Sequence, residues 1–296
     1  MTIRRGIGSH AFDGLNVLFM AAFCITVLYP FWNLILVSLE GVEEAKALRF
    51  KLTNQHWNAS AYQYLLFDSL VLRSYRNTIL RTVVGTAMSV FVCSLAAYTV
   101  SKRDLPGRGL LMAILIITLF FSGGFIPTFL LIRGLGLYNT FWVLVLPGLV
   151  NAFNVIIIRN FFMAIDPGVE ESALMDGATY RRILVSIVMP LSMPVLATVT
   201  LWTAVSIWNE WFEALIFTSG NDWIVLQEFI RRMMEEVFNK RELAVIDRFN
   251  DEFGQQIQRD NVQSAVIIIT IGPIVLLYPF LQRYFVRGIM VGSLKA

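Results

Sequence analysis

The feature that most constrains the fold of this 296-residue chain is a series of long apolar segments that contain few charged residues. Charged residues make up 15% of the chain, against about 25% in an average soluble domain. About 20 consecutive apolar residues are enough for one helix to cross the hydrocarbon core of a bilayer. Helices satisfy every backbone N–H and C=O inside the segment, as that core requires. The sequence therefore predicts an all-α integral membrane protein.

Six segments have the length and composition of transmembrane helices, and we expect them to form one domain over residues 1–296. The first is too long for a cleaved signal peptide and is predicted to be a retained helix. Long connections are predicted at 40–76 and 219–263, with an intermediate one at 160–193. The predicted spans are residues 14–39, 77–100, 109–132, 138–163, 194–218 and 264–284.

The basic residues of the short loops predict the orientation. The 101–108 loop holds Lys102, Arg103 and Arg108, whereas the 133–137 loop holds only Arg133. Lysine and arginine are enriched in short cytoplasmic loops. We therefore expect the 101–108 and 160–193 loops and both termini to be cytoplasmic, and the 40–76 and 219–263 loops to be external.

Several function classes are not supported by the sequence. Cys24 and Cys93 both fall inside predicted spans, where small apolar packing residues are expected, so no disulfide or metal site is indicated. The net charge of +3 comes without a block of basic residues, which gives no indication of nucleic-acid binding. No lysine follows a glycine, so the chain lacks a P-loop, and any ATP and Mg²⁺ must be bound by other chains.

An amphipathic helix is predicted after the fifth span, with Asp222 as its N-cap. Its apolar face either lies on the membrane or on its own protein, or forms a docking surface for an external partner. The apolar residues at helical spacing are Trp223, Leu226, Ile230, Met233 and Val237.

The 160–193 loop carries start and stop signals of a short helix. Asp166 suits the N-cap, Pro167 the first helical position, and Gly177 a left-handed C-terminal cap. These signals predict a helix of about ten residues, followed by a second helix from about Thr179 to before Pro190. Such a short helix is either an ordinary surface turn or a knob that fits a groove of another protein.

The same loop resembles a motif of membrane subunits of binding-protein-dependent ABC importers, which reads Glu-Ala-Ala, three residues, Gly, nine residues, Ile-x-Leu-Pro. Here Glu171-Ser172-Ala173 is followed after three residues by Gly177, and after nine more by Ile187-Val188-Met189-Pro190. The departures are Ser172 and Met189. Segments 121–128, 136–140, 208–212 and 278–292 resemble the carbohydrate-uptake branch of that family, especially importers of oligosaccharides and polysaccharides such as alginate.

The resemblance implies a permease of the bacterial inner membrane that is not an enzyme by itself. It implies a second, related permease, two ATP-binding subunits that hold ATP and Mg²⁺, and an external solute-binding protein. Glu171 is expected to meet an ATPase arginine, Gly177 to allow close approach, and the 292–296 tail to reach the ATPases. The residues expected to couple the chain to the ATPases are Glu170, Glu171, Ala173, Leu174, Met175, Asp176, Gly177 and Ala178.

Aromatic and polar residues near the end of the fifth span suggest a path for a sugar. They are equally consistent with an interfacial aromatic belt and a hydrogen bond between helices. Two carboxylates would suit a polyanion such as alginate only if they were paired or protonated. The candidate path residues are Trp208, Asn209, Glu210, Trp211 and Glu213.

Two other functions remain open at this point. One is an ABC permease for another small solute. The other is an ion-coupled secondary carrier in which Glu210 or Glu213 is the proton-coupling site. The carrier hypothesis leaves the spacing from Glu171 to Pro190 unexplained.

Overall fold

The structure is a computed structural model that describes residues 7–40, 52–54, 56–234, 236–253, 258 and 260–276. Within these ranges the regular structure is helical apart from one isolated bridge between Glu40 and Trp57. The helices are α1 (Ile7–Ser38), α2 (Ser60–Phe67), α3 (Ser69–Ser101), α4 (Arg108–Phe120), α5 (Phe125–Gly134), α6 (Ala152–Met163), α7 (Pro167–Met175), α8 (Tyr180–Ile183), α9 (Met189–Leu191), α10 (Met193–Asn209), α11 (Phe212–Phe217), α12 (Leu226–Met234), α13 (Glu236–Phe253) and α14 (Asp260–Leu276).

The helices confirm the all-α membrane class. By length and composition α1 and α3 are each able to cross a membrane alone, and up to five spans result if each bent helix pair counts as one. This roughly fits the predicted six, of which the last is described as far as Leu276. The predicted ends of the first two spans lie within one residue of the ends of α1 and α3, whereas the two helices begin seven residues before Gly14 and eight residues before Asn77.

Three of the predicted spans are interrupted or shortened. The third is broken between α4 and α5, which meet at 115° around Gly124, a residue with φ of +84°. The fifth is broken at Glu210, between α10 and α11. The fourth is helical only in the twelve residues of α6, because a short 3₁₀ turn at Phe141–Leu144 and irregular backbone precede it.

The second helix of the 160–193 loop passes through Pro190 instead of ending before it. A wider π-helical segment, Leu184–Val188, lies between α8 and α9. Proline removes a backbone donor and crowds the preceding turn, and the π segment lies in that turn. The bend, of 82°, follows at Ser192 and leads into α10.

The described residues fall into two compact units, one within residues 7–69 and 232–271 and the other within residues 70–231 and 272–276. In the first, the Tyr64 ring of α2 meets the Phe249 ring of α13 edge-on at 5.7 Å between centroids. The Asn261 amide of α14 donates to the Val37 carbonyl of α1 over 2.7 Å.

The second unit has its main core where α3, α6 and α8–α10 meet. Its buried residues include Ala97, Val155, Ile183 and Val199. Small residues allow α3 to approach α10 closely, since a Cβ on Gly85 would stand 3.1 Å from Ile207 Cδ1.

The amphipathic segment after the fifth span is packed on its own protein. Leu226, Phe229 and Met233 are each at most 1% exposed, which favours the packing interpretation over a docking surface. Asp222 does not cap the helix as predicted. Its carboxylate pairs with Arg73 at 3.2 Å, and α12 begins only at Leu226.

Candidate functional site

The short helix α7 forms as its sequence signals predict. Asp166 Oδ1 accepts a hydrogen bond of 2.8 Å from the Gly168 amide, and Pro167 occupies the first helical position. Gly177 has a φ of +78°, and the next amide, of Ala178, donates to the Ala173 carbonyl over 2.9 Å. The helix therefore has caps at both ends that are formed by neighbouring residues.

One side of α7 is attached to the protein and the other is free. Ala173 and Ala178 pack against the main core, and the Glu170 carboxylate forms an ion pair with Lys102. The Lys102 ammonium also lies 4.0 Å from the centroid of the Tyr98 ring. This lysine thus joins the loop after α3 to the first turn of α7.

The other side of α7 exposes a mixed apolar and acidic surface. Met175 is 88% exposed and Leu174 is 38% exposed. Glu171, Asp176 and Gly177 are exposed as well. Exposed apolar residues beside charged ones, at a bend of 75° between α6 and α7, have the character of a protein-docking surface.

A cavity of about 420 Å³ lies between α3, α6 and α10. This is within the range of about 300–1,000 Å³ that is typical of ligand pockets. Phe153 and Trp202 contribute aromatic faces, with ring centroids 5.6 Å apart. Asn151, Thr203 and Ser206 supply polar groups to its wall.

The polar groups on one wall of the cavity are held by a small network. The Trp202 indole N–H donates to Asn154 Oδ1 over 2.7 Å, and Asn154 Nδ2 donates to Thr203 Oγ1 over 3.1 Å. Asn154 and Thr203 are both buried. The network fixes the tryptophan ring, so that its face and the neighbouring polar atoms form a preorganised surface.

A second wall of the cavity is organised around Arg81, which is buried in α3. Its guanidinium donates to the Leu144 carbonyl over 2.8 Å and to the Glu210 carbonyl over 2.7 Å. Its third contact is an ion pair of 2.5 Å with Glu213. The Arg81 side chain is 3% exposed and that of Glu213 is 31% exposed, so the guanidinium is removed from solvent while the carboxylate remains partly accessible.

The structure brings two of the five predicted path residues to the cavity. Glu210 and Glu213 line it, and the Glu210 carboxylate accepts hydrogen bonds from the Phe212 and Glu213 amides. The other three do not line this cavity. Trp208 is buried against Tyr75, Asn209 accepts a bond from Gln227, and the Trp211 ring lies 4.2 Å from the Arg231 guanidinium.

Comparisons with known proteins show the family of this chain. A family model described as "Binding-protein-dependent transport system inner membrane component" matches residues 4–291. The chain belongs to this family. It is thus a permease of a transport system in the inner membrane and not an enzyme by itself, as predicted.

Its relatives include permeases for carbohydrates. The permease is 36% identical over 287 residues to the polygalacturonan/rhamnogalacturonan transport system permease protein YtcP of Bacillus subtilis (strain 168), across 97% of this chain and 99% of YtcP. It is 35% identical to Protein LplC of the same organism, across 99% of this chain and 98% of LplC. A solved chain of a bacterial ABC transporter involved in the import of the acidic polysaccharide alginate has a TM-score of 0.86 and 31% identity, and covers 96% of this chain and 100% of that chain.

Sequence reasoning missed the residue that organises one wall of the permease's cavity. Arg81 is an ionisable residue inside a predicted span, and such residues are functional candidates by default. That signal was present in the sequence. Its partners were not evident, because Leu144 and Glu213 are 63 and 132 residues away.

Proposed function

We propose that this permease is one of two related transmembrane subunits of an ABC importer for oligosaccharides or polysaccharides. Two ATP-binding subunits hold ATP and Mg²⁺, and an external solute-binding protein delivers the glycan. The α7 end of the bundle and both termini face the cytoplasm, and the 40–76 and 219–263 loops are external. The predicted role of the 292–296 tail lies outside the described residues.

The observation that carries the coupling role is the two-sided character of α7. Ala173, Ala178 and Glu170 attach the helix to the bundle, so that a force on its free side is transmitted to α3 and α8. The free side presents Glu171, Leu174 and Met175. An exposed anionic and apolar knob of this kind fits a groove that has a basic residue on its rim.

Glycan transport is supported by the cavity and by the relatives. Aromatic faces next to amide and hydroxyl groups suit the apolar faces and hydroxyl groups of a sugar. Glu210 and Glu213 repel an acidic glycan less than two uncompensated carboxylates would. The charge of Glu213 is neutralised by Arg81, and the Glu210 carboxylate accepts hydrogen bonds from backbone amides. The similarity of this chain to permease chains of polygalacturonan and alginate transport systems supports acidic glycans as substrates of this permease.

The coupling role is tested by charge reversal on α7. The full complex is purified from cells that express Glu171→Lys, Met175→Glu or the matched control Glu252→Lys, which reverses an exposed charge on α13. We expect the ATPase subunits to co-purify with wild type and the control, and recovery to fall about tenfold or more with either α7 variant. Glycan-stimulated ATP hydrolysis in proteoliposomes should fall in parallel.

Two results would contradict this proposal. One is full ATPase recovery and stimulated hydrolysis with both α7 variants. The other is gradient-driven uptake by this chain alone, without ATPase subunits, which would favour a secondary carrier.

A further inference from the structure

Two arginines from different helices converge at the C-terminal end of α3. Arg108 Nε donates to the Val100 carbonyl over 3.0 Å, and Arg159 Nε donates to the same oxygen over 3.2 Å. The shared acceptor places the two guanidinium groups side by side. It also lies at the negative end of the α3 dipole, which offsets part of their mutual repulsion.

Neither guanidinium has a carboxylate partner in the part of the chain that the structure describes. The remaining contacts are to neutral atoms, with Arg108 donating to Met163 Sδ over 3.7 Å and Arg159 to Asn160 Oδ1 over 3.1 Å. By contrast, Lys102 in the same loop is paired with Glu170. Since a guanidinium carries five N–H donors, most of the donors of this pair have no protein acceptor among the described residues.

The arginine pair lies beside an apolar surface. Arg108 is the first residue of α4, and no residue of α4 is buried. Leu110 is 68% exposed, and Ile114 and Ile117 are 49% and 54% exposed along the same helix. In a membrane protein, a basic pair at the end of an exposed apolar helix stands at the depth of the lipid headgroups.

These observations identify a ligand that is anionic at one end and apolar at the other. A phosphodiester matches the forked donors of arginine, and acyl chains match the exposed side of α4. A zwitterionic headgroup carries its own cation, which the two arginines would repel. We propose that Arg108 and Arg159 form a binding site for the phosphate of an anionic phospholipid such as phosphatidylglycerol, with its acyl chains along α4.

The proposal is tested by native mass spectrometry of the full complex in detergent, titrated with phosphatidylglycerol or with phosphatidylcholine of the same acyl chains. We expect wild type to retain phosphatidylglycerol preferentially. R108Q/R159Q should lower the apparent affinity for phosphatidylglycerol about tenfold or more, since each basic residue near an anionic surface contributes to binding. The matched control is R103Q, which removes an exposed arginine from the same loop.

A second variant separates loss of the site from loss of the fold. R108K/R159K keeps both charges, and we expect it to retain more phosphatidylglycerol than R108Q/R159Q does. Equal retention of the two lipids by wild type, or unchanged phosphatidylglycerol binding by R108Q/R159Q, would overturn the proposal. Displacement of the lipid by millimolar inorganic phosphate would instead identify a site for a free anion and would also overturn it.

Discussion

At the scale of single residues, the most connected side chain of the cavity wall is Arg81. It bonds two backbone carbonyls and one carboxylate, and it ties α3 to the irregular segment around Leu144 and to the start of α11. Both carbonyls belong to places where regular helix is interrupted. Arg81 therefore satisfies backbone groups that an interrupted span leaves without intrahelical partners.

Removing one member of the Arg81–Glu213 ion pair should destabilise the protein more than removing both. Arg81→Met leaves the Glu213 carboxylate, whose side chain is 31% exposed, without its counter-charge, and we expect a loss of about 1–3 kcal/mol in stability. Arg81→Met combined with Glu213→Leu should recover part of that loss, although the Leu144 and Glu210 carbonyls remain unpaired. Thermal unfolding of the purified complex measures both effects, and equal destabilisation by the single and double variants would refute the pairing.

At the scale of elements, the position of α7 depends on contacts outside it. Its caps are local, but its angle to the bundle is set by the packing of Ala173 and Ala178 and by Lys102. Lys102 also approaches the aromatic rings of Tyr98 and Tyr180, at 4.0 and 5.8 Å from their centroids. One ammonium group thus contacts α3, α7 and α8 together.

Loss of Lys102 should weaken the coupling of glycan transport to ATP hydrolysis more than it lowers the stability of the fold. We expect Lys102→Ala to lower glycan-stimulated ATP hydrolysis about two- to thirtyfold, the effect of a change of about 0.5–2 kcal/mol in coupling free energy. Lys102→Arg should restore most of it because the charge and the aromatic contacts are kept. Arg103→Ala, in the same loop, is the control. A variant that hydrolyses ATP at the wild-type stimulated rate would show that Lys102 does not position α7.

At the scale of the whole molecule, the sequence predicts a sugar path at one end of the fifth span, and the cavity extends from Glu210 and Glu213 at that end back along α10. Trp202 and Thr203 of α10 face it together with Asn154 of α6, while Trp208 packs against Tyr75. The two tryptophans are six positions apart on α10. Only the packing of α10 against its neighbours decides which of them reaches the cavity.

Because Trp202 lines the cavity and Trp208 does not, the same substitution at the two tryptophans should affect glycan uptake differently. Trp202→Phe keeps an aromatic ring but leaves the buried Asn154 Oδ1 without its indole donor, and we expect the KM for glycan uptake to rise about fivefold or more. Trp208→Phe should leave that KM within about twofold of wild type. Uptake of labelled oligosaccharide into proteoliposomes measures both, and the reverse order of effects would favour the path predicted from the sequence.

The sequence by itself determined the features that depend on neighbours along the chain. The apolar runs predicted a helical membrane protein, and Asp166, Pro167 and Gly177 predicted α7 with both of its caps, because each cap joins residues a few positions apart. The spacing from Glu171 to Pro190 identified the family, because this motif too is contained in one short stretch of the chain. Local chemistry leaves few alternatives for such segments.

The tertiary structure alone decided which distant groups meet. Arg81 binds backbone carbonyls at the interruptions of the fourth and fifth spans, and its pairing with Glu213 spans 132 residues. The convergence of Arg108 and Arg159 on one carbonyl likewise joins separate helices. A sequence pattern gives the type of each side chain and its approximate depth, but the helix rotations that bring these groups into contact are set by packing across the whole bundle.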